Sequence, residues 1–408
     1  MTSPARKWWS QGEADIADDE PNAELQKKHW DEHPVISRRI HILGVGTVGI
    51  FVAHSLAGIP NRPPITLLLH RRKLWIDWHQ DTERPETLEV ITEGVSDVRK
   101  NFDVERVMPS WKLVREPPAD EVTIHNLIVT VKGPRVLSAL SLVSHRLNQR
   151  STIVFLQTGM GILDEVNEKL FKDVETRPNY ILGLLTHTLY PEEPFSVTHA
   201  RLGTTAFAFV PRSPLERAPD GAGQRKDVWP PTSRYLLRTL TRTPVLAAVG
   251  FSPTDLTLLQ LDKLTANAVI GPLTVMFDCK NGDLLFNNSV SRVMRLLLSE
   301  ISLVIRSLPE LQGVPNVQMR FSPDRLESMI VSIATMTAEN LSGMLREVRA
   351  GNETEIDYIN GYFIKRGEEI GIKCVMNYML LQMVKGKRII VNKEVYSQLP
   401  LEGFLGPS

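Results

Sequence analysis

The spacing of apolar and polar positions changes rhythm along the chain. Residues 1–37 are polar and acidic with no sustained period, which reads as an extension without a core of its own. Trp8, Trp9 and Trp30 are its apolar exceptions and would anchor it on the body of the protein or on a partner. From Arg39 to about residue 250, short and fully apolar runs alternate with segments of helical period. Ile40-His41-Ile42-Leu43 predicts a strand, Ile50 to Ala57 a helix, and Ile65 to His70 a second strand. Asn126–Val131, Thr152–Leu156 and Tyr180–Leu185 predict three more strands. Strands that are apolar throughout, with helices between them, predict a parallel sheet covered on both faces. Residues 213–232, rich in Pro, Gly and charge, read as a surface insertion. From about 254 to about 388 the period is helical, with long amphipathic stretches at Leu284–Leu308, Pro323–Arg349 and Thr354–Gly371. That half is expected to be all-helical and to run over 251–392, with a tail over 393–408.

Composition narrows the classes. The 408 residues are 42% hydrophobic and 23% charged, which fits a chain of two or three folded domains. Forty-seven basic residues balance 47 acidic ones, so no global charge favours nucleic acid as a partner. No apolar run approaches the ~18–20 residues that cross a bilayer, and no membrane partner is expected. Two cysteines, Cys279 and Cys374, cannot make a disulfide framework or a four-ligand zinc site. The histidines show no HxH or HExxH spacing, so no metal is expected. Arg6 and Lys7 are soon followed by Glu13, Asp15, Asp18, Asp19 and Glu20. Transit peptides are poor in acids, so a cytoplasmic location is expected first and a mitochondrial one second.

The first strand runs directly into Gly44-Val45-Gly46-Thr47-Val48-Gly49. Glycine triplets occur by chance, but here an apolar strand precedes the triplet and an apolar helix follows it. Gly44 would allow a tight turn, Gly46 would let backbone approach a pyrophosphate, and Gly49 would let the helix sit close to the strand. The helix start would offer N–H groups and a partial positive charge to the phosphate. This is the α/β Rossmann-type dinucleotide unit, expected over 38–250. An NAD site usually carries an acid at the end of the second strand for the ribose 2′-hydroxyl. This chain carries Arg71, Arg72 and Lys73 there, and no acid before Asp77. A 2′-phosphate would be met by those cations, so NADP is the expected cofactor.

In the helical half, Lys263 and Asn267 are four apart and share one helix face. Spacing by itself favours an ordinary surface lysine. The segments Lys263–Thr274 and Asn281-Gly282-Asp283-Leu284 nevertheless resemble the helical-domain signature of the ketopantoate reductase family. So do Ala338–Leu345 and, most specifically, Thr354-Glu355-Ile356-Asp357-Tyr358-Ile359-Asn360-Gly361-Tyr362. Gln157-Thr158-Gly159-Met160-Gly161 is similar to the family's HNGMG loop. The resemblance runs from about Arg39 to about Arg388.

It implies a Rossmann-type domain joined to an all-α domain, with the active site in the cleft between. It also implies NADPH-dependent reduction of 2-dehydropantoate, a 2-keto acid, to pantoate. Lys263 then stands at the catalytic lysine, polarising the ketone and protonating the alkoxide. Glu355 stands at the essential glutamate. Asn267, Asn281, Asn340 and Ser342 match substrate-binding positions, and Lys132 and Thr158 match positions beside the cofactor.

The sequence departs from the family at three places. Thr158 stands for an Asn, Gly271 for a second Asn one turn beyond Asn267, and Gly343 for a second Ser. Each change removes or shortens a polar group expected to face substrate, at roughly 1–3 kcal/mol per lost partner. The expectation is therefore reduction of ketopantoate or of a related, bulkier 2-keto acid. The alternative is a family-derived protein that binds NADP and an interaction partner but has lost turnover. A monomer or homodimer is expected.

His187 reads as a hydrogen-bonded structural histidine. Trp75 and Trp78 read as packing under the basic turn.

Overall fold

The computed structural model describes residues 36–80, 85–107, 123–212 and 229–398. They form two compact units. The first holds the chain up to Val131, Arg135–Gln157 and Glu165–Leu256; the second holds Lys132–Pro134, Thr158–Asp164 and the chain from Thr257. The acidic extension up to residue 35 and the insertion over 213–228 lie outside the described residues.

In the first unit the described residues make an eight-stranded sheet in the order β12-β11-β8-β7-β6-β1-β2-β5. The strands are β1 (Ile40–Leu43), β2 (Ile65–Leu69), β5 (Asp103–Arg106), β6 (Asn126–Val129), β7 (Thr152–Phe155), β8 (Asn179–Leu185), β11 (Thr205–Val210) and β12 (Ala248–Gly250). Strand β1 lies between β2 and β6, and all three are buried along their length. That is why they read as unbroken apolar runs: both faces are covered, here by helices such as α1 (Thr47–Ala57). The expected parallel sheet is present from β5 through β8, but β11 runs antiparallel to β8 and so departs from an all-parallel reading.

A second sheet, β4-β3-β10-β9, was not predicted from the sequence. Its strands are β3 (Leu88–Thr92), β4 (Val95–Arg99), β9 (Thr188–Pro191) and β10 (Ser196–Arg201). Strand β4 is largely exposed, β9 is at most half-buried, and β3 and β10 are buried over only part of their length, so none shows a continuous apolar run. Their inner residues Leu88, Val90 and Val197 join the same core as Phe51 and Leu56 of α1. Helix α2 (Arg72–Gln80) follows β2, and its Trp78 is 2% exposed and meets Phe195 edge-on at 4.9 Å. Trp78 is thus packing, as expected. His187 is buried as well: its Nδ1 accepts from the Gly203 N–H at 3.1 Å and its Nε2 donates to the Leu246 carbonyl at 3.1 Å. Helices α3 (Val136–Ser141), α4 (Ile162–Lys169) and α5 (Pro231–Thr241) complete the connections. Helix α5 opens at Pro231 and buries Thr232, so the last residues of the expected 213–232 insertion already belong to the fold.

The second unit is helical, as expected. Its elements are α6 (Pro253–Phe277), α7 (Asn288–Ser307), α8 (Val317–Arg320), α9 (Pro323–Met336), α10 (Gly343–Arg349), α11 (Ile356–Glu369) and α12 (Val375–Gln398). They enclose one apolar core that includes Leu264, Leu297, Ile301, Ile330 and Phe363. Three boundaries differ from the periodicity. Leu284 ends a 3-10 turn (Asn281–Leu284), and α7 starts only after Asn287, whose Oδ1 accepts from the Ser289 and Val290 N–H groups. The expected Pro323–Arg349 helix is two helices, because Ser342 caps a new start at Gly343. Helix α12 continues to Gln398, past the expected start of a tail at 393. No helix of the described residues is long and apolar enough to cross a membrane.

Candidate active site

The glycine turn in the first unit is a steric necessity. Gly44 has φ +109°, and a Cβ there would lie 2.7 Å from the Val131 nitrogen. A Cβ on Gly49 would lie 2.0 Å from the Gly44 carbonyl oxygen. Gly46 is different: nothing lies within 4 Å of its missing Cβ, and it is exposed. The Thr130 hydroxyl donates to the Gly44 carbonyl and braces the turn against the next strand. The first intrahelical bond of α1 runs from the Ile50 N–H to the Gly46 carbonyl at 2.9 Å. No side chain caps the helix and its first turn carries no acid. The N–H groups of Thr47, Val48 and Gly49 therefore start a positive helix end beside open space, with Val45 buried behind them. These residues fit a pyrophosphate.

At the end of β2, Arg71, Arg72 and Lys73 are exposed, and Arg72 opens α2. The His70 imidazole is held below its ordinary value by burial, and then by the nearby guanidinium groups of Arg71 and Arg135. Arg135, from the turn after β6, thus adds a cation that the sequence reading did not select. No acidic residue stands at this strand end before Asp77.

In the second unit, α6 carries Lys263 and Asn267 on one face, both half-buried. Burial pulls the Lys263 ammonium down to about 8, and the neighbouring Glu355 carboxylate opposes that shift. Glu355 is the residue just before α11, and its Oε1 accepts the Gly133 N–H at 3.0 Å. The two residues expected to do acid–base work are therefore electrostatic neighbours. Lys132, next in sequence to Gly133, is ion-paired with Glu347 of α10. It is 51% exposed, where water screens such pairs to about 0–1 kcal/mol, so a phosphate could compete for it.

Tyr358 explains two glycines, Gly159 in the loop at 157–161 and Gly133. A Cβ on Gly159 would lie 2.4 Å from the Tyr358 Cβ, and one on Gly133 would lie 2.8 Å from its ring. The Met160 N–H donates to the Tyr358 carbonyl at 3.0 Å, and Gly161 has φ +87°. The first turn of α11 thus anchors the loops that bear Lys132 and Thr158.

A second group of expected residues also meets. The Asn281 N–H donates to the Asn340 carbonyl at 3.0 Å, and the Gly282 N–H to the Ala338 carbonyl at 3.1 Å. The Asn281 side-chain amide donates to the Thr337 hydroxyl at 2.9 Å. Its Oδ1 is buried and meets no hydrogen-bond partner among the described residues. Ser342 is engaged by the fold: its Oγ accepts from the Leu345 N–H at 3.0 Å and lies 2.7 Å from the Thr274 hydroxyl. At the departures from the family pattern, Gly343 faces open space, but Gly271 is backed by Met344, whose Cβ, Cε and Sδ lie 3.4–3.5 Å from the missing Cβ. Met344 was not picked out from the sequence. Among the described residues no cluster of His, Cys, Asp or Glu is placed to hold a metal ion.

Two family models match this chain: ketopantoate reductase PanE/ApbA over residues 40–212, and its C-terminal domain over residues 255–388. The chain belongs to the ketopantoate reductase family. It is accordingly an oxidoreductase, and the family is one of NAD(P)H-dependent 2-keto acid reductases. It is 26% identical to the "Probable 2-dehydropantoate 2-reductase" of Schizosaccharomyces pombe, over 86% of this chain and 97% of that protein. It is 27% identical to ketoisovalerate reductase BEA2 of Gibberella fujikuroi, over 80% of this chain and 78% of that protein. Among solved structures, D-mandelate dehydrogenase with NADH and anilino(oxo)acetate shares the fold at a TM-score of 0.64 and 16% identity, covering 87% of this chain and 99% of that one.

Proposed function

We propose that the chain reduces 2-dehydropantoate, or a related 2-keto acid, to the 2-hydroxy acid with NADPH, and that Lys263 is the proton donor. When bound, the reduced nicotinamide supplies the hydride that adds to the ketone carbon. The Lys263 ammonium polarises the carbonyl and passes its proton to the oxygen as charge develops there. Glu355, held by the Gly133 N–H, keeps Lys263 charged against the pull of burial. Asn267, Asn281 and Asn340 orient the carboxylate and hydroxyl groups of the substrate. The observation that carries this reading is the lysine pulled to about 8 beside a backbone-anchored glutamate. An acid whose pKa lies near neutral pH gives up its proton readily without being lost at working pH.

The Arg71–Lys73 cations and Arg135 support NADPH over NADH. Met344 behind Gly271 puts a thioether where the family resemblance expects an amide, which favours an apolar substrate side chain over a hydroxylated one. The name of the ketoisovalerate reductase relative is consistent with that direction. The family resemblance makes 2-dehydropantoate the leading single substrate, and Met344 makes an apolar 2-keto acid without its hydroxyl group the direct competitor. The test is a screen of NADPH oxidation over 2-keto acids, ketopantoate included, in parallel with Lys263→Ala. Turnover with at least one acid, abolished by the substitution, supports the reading. Tight NADPH binding with no turnover across the panel would replace it with the binding-protein alternative.

A further inference from the structure

Helix α6 contains Pro272 in its interior. Proline has no N–H, so the carbonyl of Ala268, four residues earlier, has no intrahelical donor. Ala268 is 0% exposed, so water is a poor substitute. The Asn360 Nδ2 group of α11 donates to that carbonyl at 2.9 Å. Asn360 is itself 0% exposed, and the same nitrogen donates to the Asn377 Oδ1 at 3.1 Å. With two acceptors facing it, the amide has one workable orientation, because the flipped amide would set oxygen against oxygen. Asn377 is anchored in turn: its side-chain amide donates to Glu300 at 2.8 Å, and Glu300 also accepts the Met376 and Asn377 N–H groups.

We infer that Asn360 is a positioning residue that supplies the N–H missing at Pro272 and so fixes the start of α11, with Glu355, against the stretch of α6 that bears Lys263. This rests on the reading of Lys263 and Glu355 given above. Both ends of the link lie in motifs of the sequence, Ala268 to Pro272 in one and Glu355 to Asn360 in the other, and the hydrogen bond joins them. A residue that merely filled space would not need an amide here. An apolar side chain of similar size would pack as well and would leave the Ala268 carbonyl unpaired.

The test is a cycle of Asn360→Leu, Pro272→Ala and the double variant in the full chain. Alanine at 272 restores the backbone donor. Two readouts are taken: kcat with the best 2-keto acid, and the pH dependence of Lys263 acylation by acetic anhydride, followed by peptide mass. Asn360→Leu is expected to lower kcat roughly ten- to hundredfold at unchanged NADPH affinity, and to move the Lys263 midpoint below 8, further from the ordinary lysine value, because a displaced Glu355 no longer opposes burial. Pro272→Ala should stay within about twofold of the parent, and the double variant should remain as impaired as Asn360→Leu in both readouts, because a backbone donor at 272 pairs the Ala268 carbonyl without joining α11 to α6. A double variant restored to the parental kcat and Lys263 midpoint would overturn the inference, because pairing the carbonyl alone would then be sufficient. So would an Asn360→Leu protein that melts earlier but keeps the Lys263 midpoint and kcat. The acylation readout needs no turnover, so it tests the link even if the proposed reaction fails.

Discussion

The glycine turn of the first unit and the lysine–glutamate cluster of the second are built from different materials. The turn is backbone: its positive helix end, its open face at Gly46 and its crowded contacts at Gly44 and Gly49 exist because side chains are missing. The cluster is side chain: Lys263 on α6, Glu355 before α11 and the Gly133 N–H come from three separate stretches of chain and are held by packing and long-range hydrogen bonds. A backbone site tolerates almost any residue that leaves its shape alone and none that adds a Cβ in the wrong place. A side-chain site fails on loss of a functional group, and also on loss of remote residues such as Asn360 that aim it.

Substitutions can separate the two regions. The largest effect is expected for Lys263→Ala, which should lower kcat by roughly 10²–10⁴ while leaving NADPH affinity, measured by fluorescence titration, within about twofold. Gly49→Ala should do the reverse. Its Cβ would fall 2.0 Å from the Gly44 carbonyl, so the turn must open. Losing about two charge-assisted phosphate contacts would cost about 3 kcal/mol, or roughly a hundredfold in NADPH affinity. A Gly49→Ala protein with parental NADPH affinity would break the comparison. Next come Arg71→Ala and Arg72→Ala, each expected to weaken NADPH binding roughly tenfold and NADH binding hardly at all. Equal losses with both cofactors would remove the case for a 2′-phosphate contact.

The smallest effect sharpens a single residue. Ser342→Ala should cost about 1 kcal/mol of stability through the lost cap of α10, read as a lower melting temperature, with KM for the keto acid nearly unchanged. A large rise in KM with no thermal change would return Ser342 to the substrate.

The same contrast explains what the sequence disclosed. Strand β1, the glycine turn, α1 and β2 are consecutive, and each carries a local signal in period or residue type, so that unit was legible within three residues. The small sheet was not, because β4 is mostly exposed and shows no apolar run. The break between α9 and α10 was hidden because helical period continues through residues 337–342 while a serine cap restarts the helix. Within the candidate site, residue types were legible through the family motifs, but their pairings were not. The contacts Gly133–Glu355, Asn281–Asn340 and Asn360–Ala268 join positions far apart in sequence, and no periodicity encodes them. Met344 behind Gly271 belongs to the same class.

The claim that Lys263 delivers the proton is tested most directly by the pH dependence of kcat/KM for NADPH-dependent keto acid reduction. Burial has lowered this group, and a proton donor acts only while protonated, so activity should be full below about 8 and fall as pH rises through that value. In Lys263→Arg, whose guanidinium keeps its proton throughout, the residual activity should show no such fall. A parental profile flat to pH 10, or a fall near 8 that survives in Lys263→Arg, would contradict it.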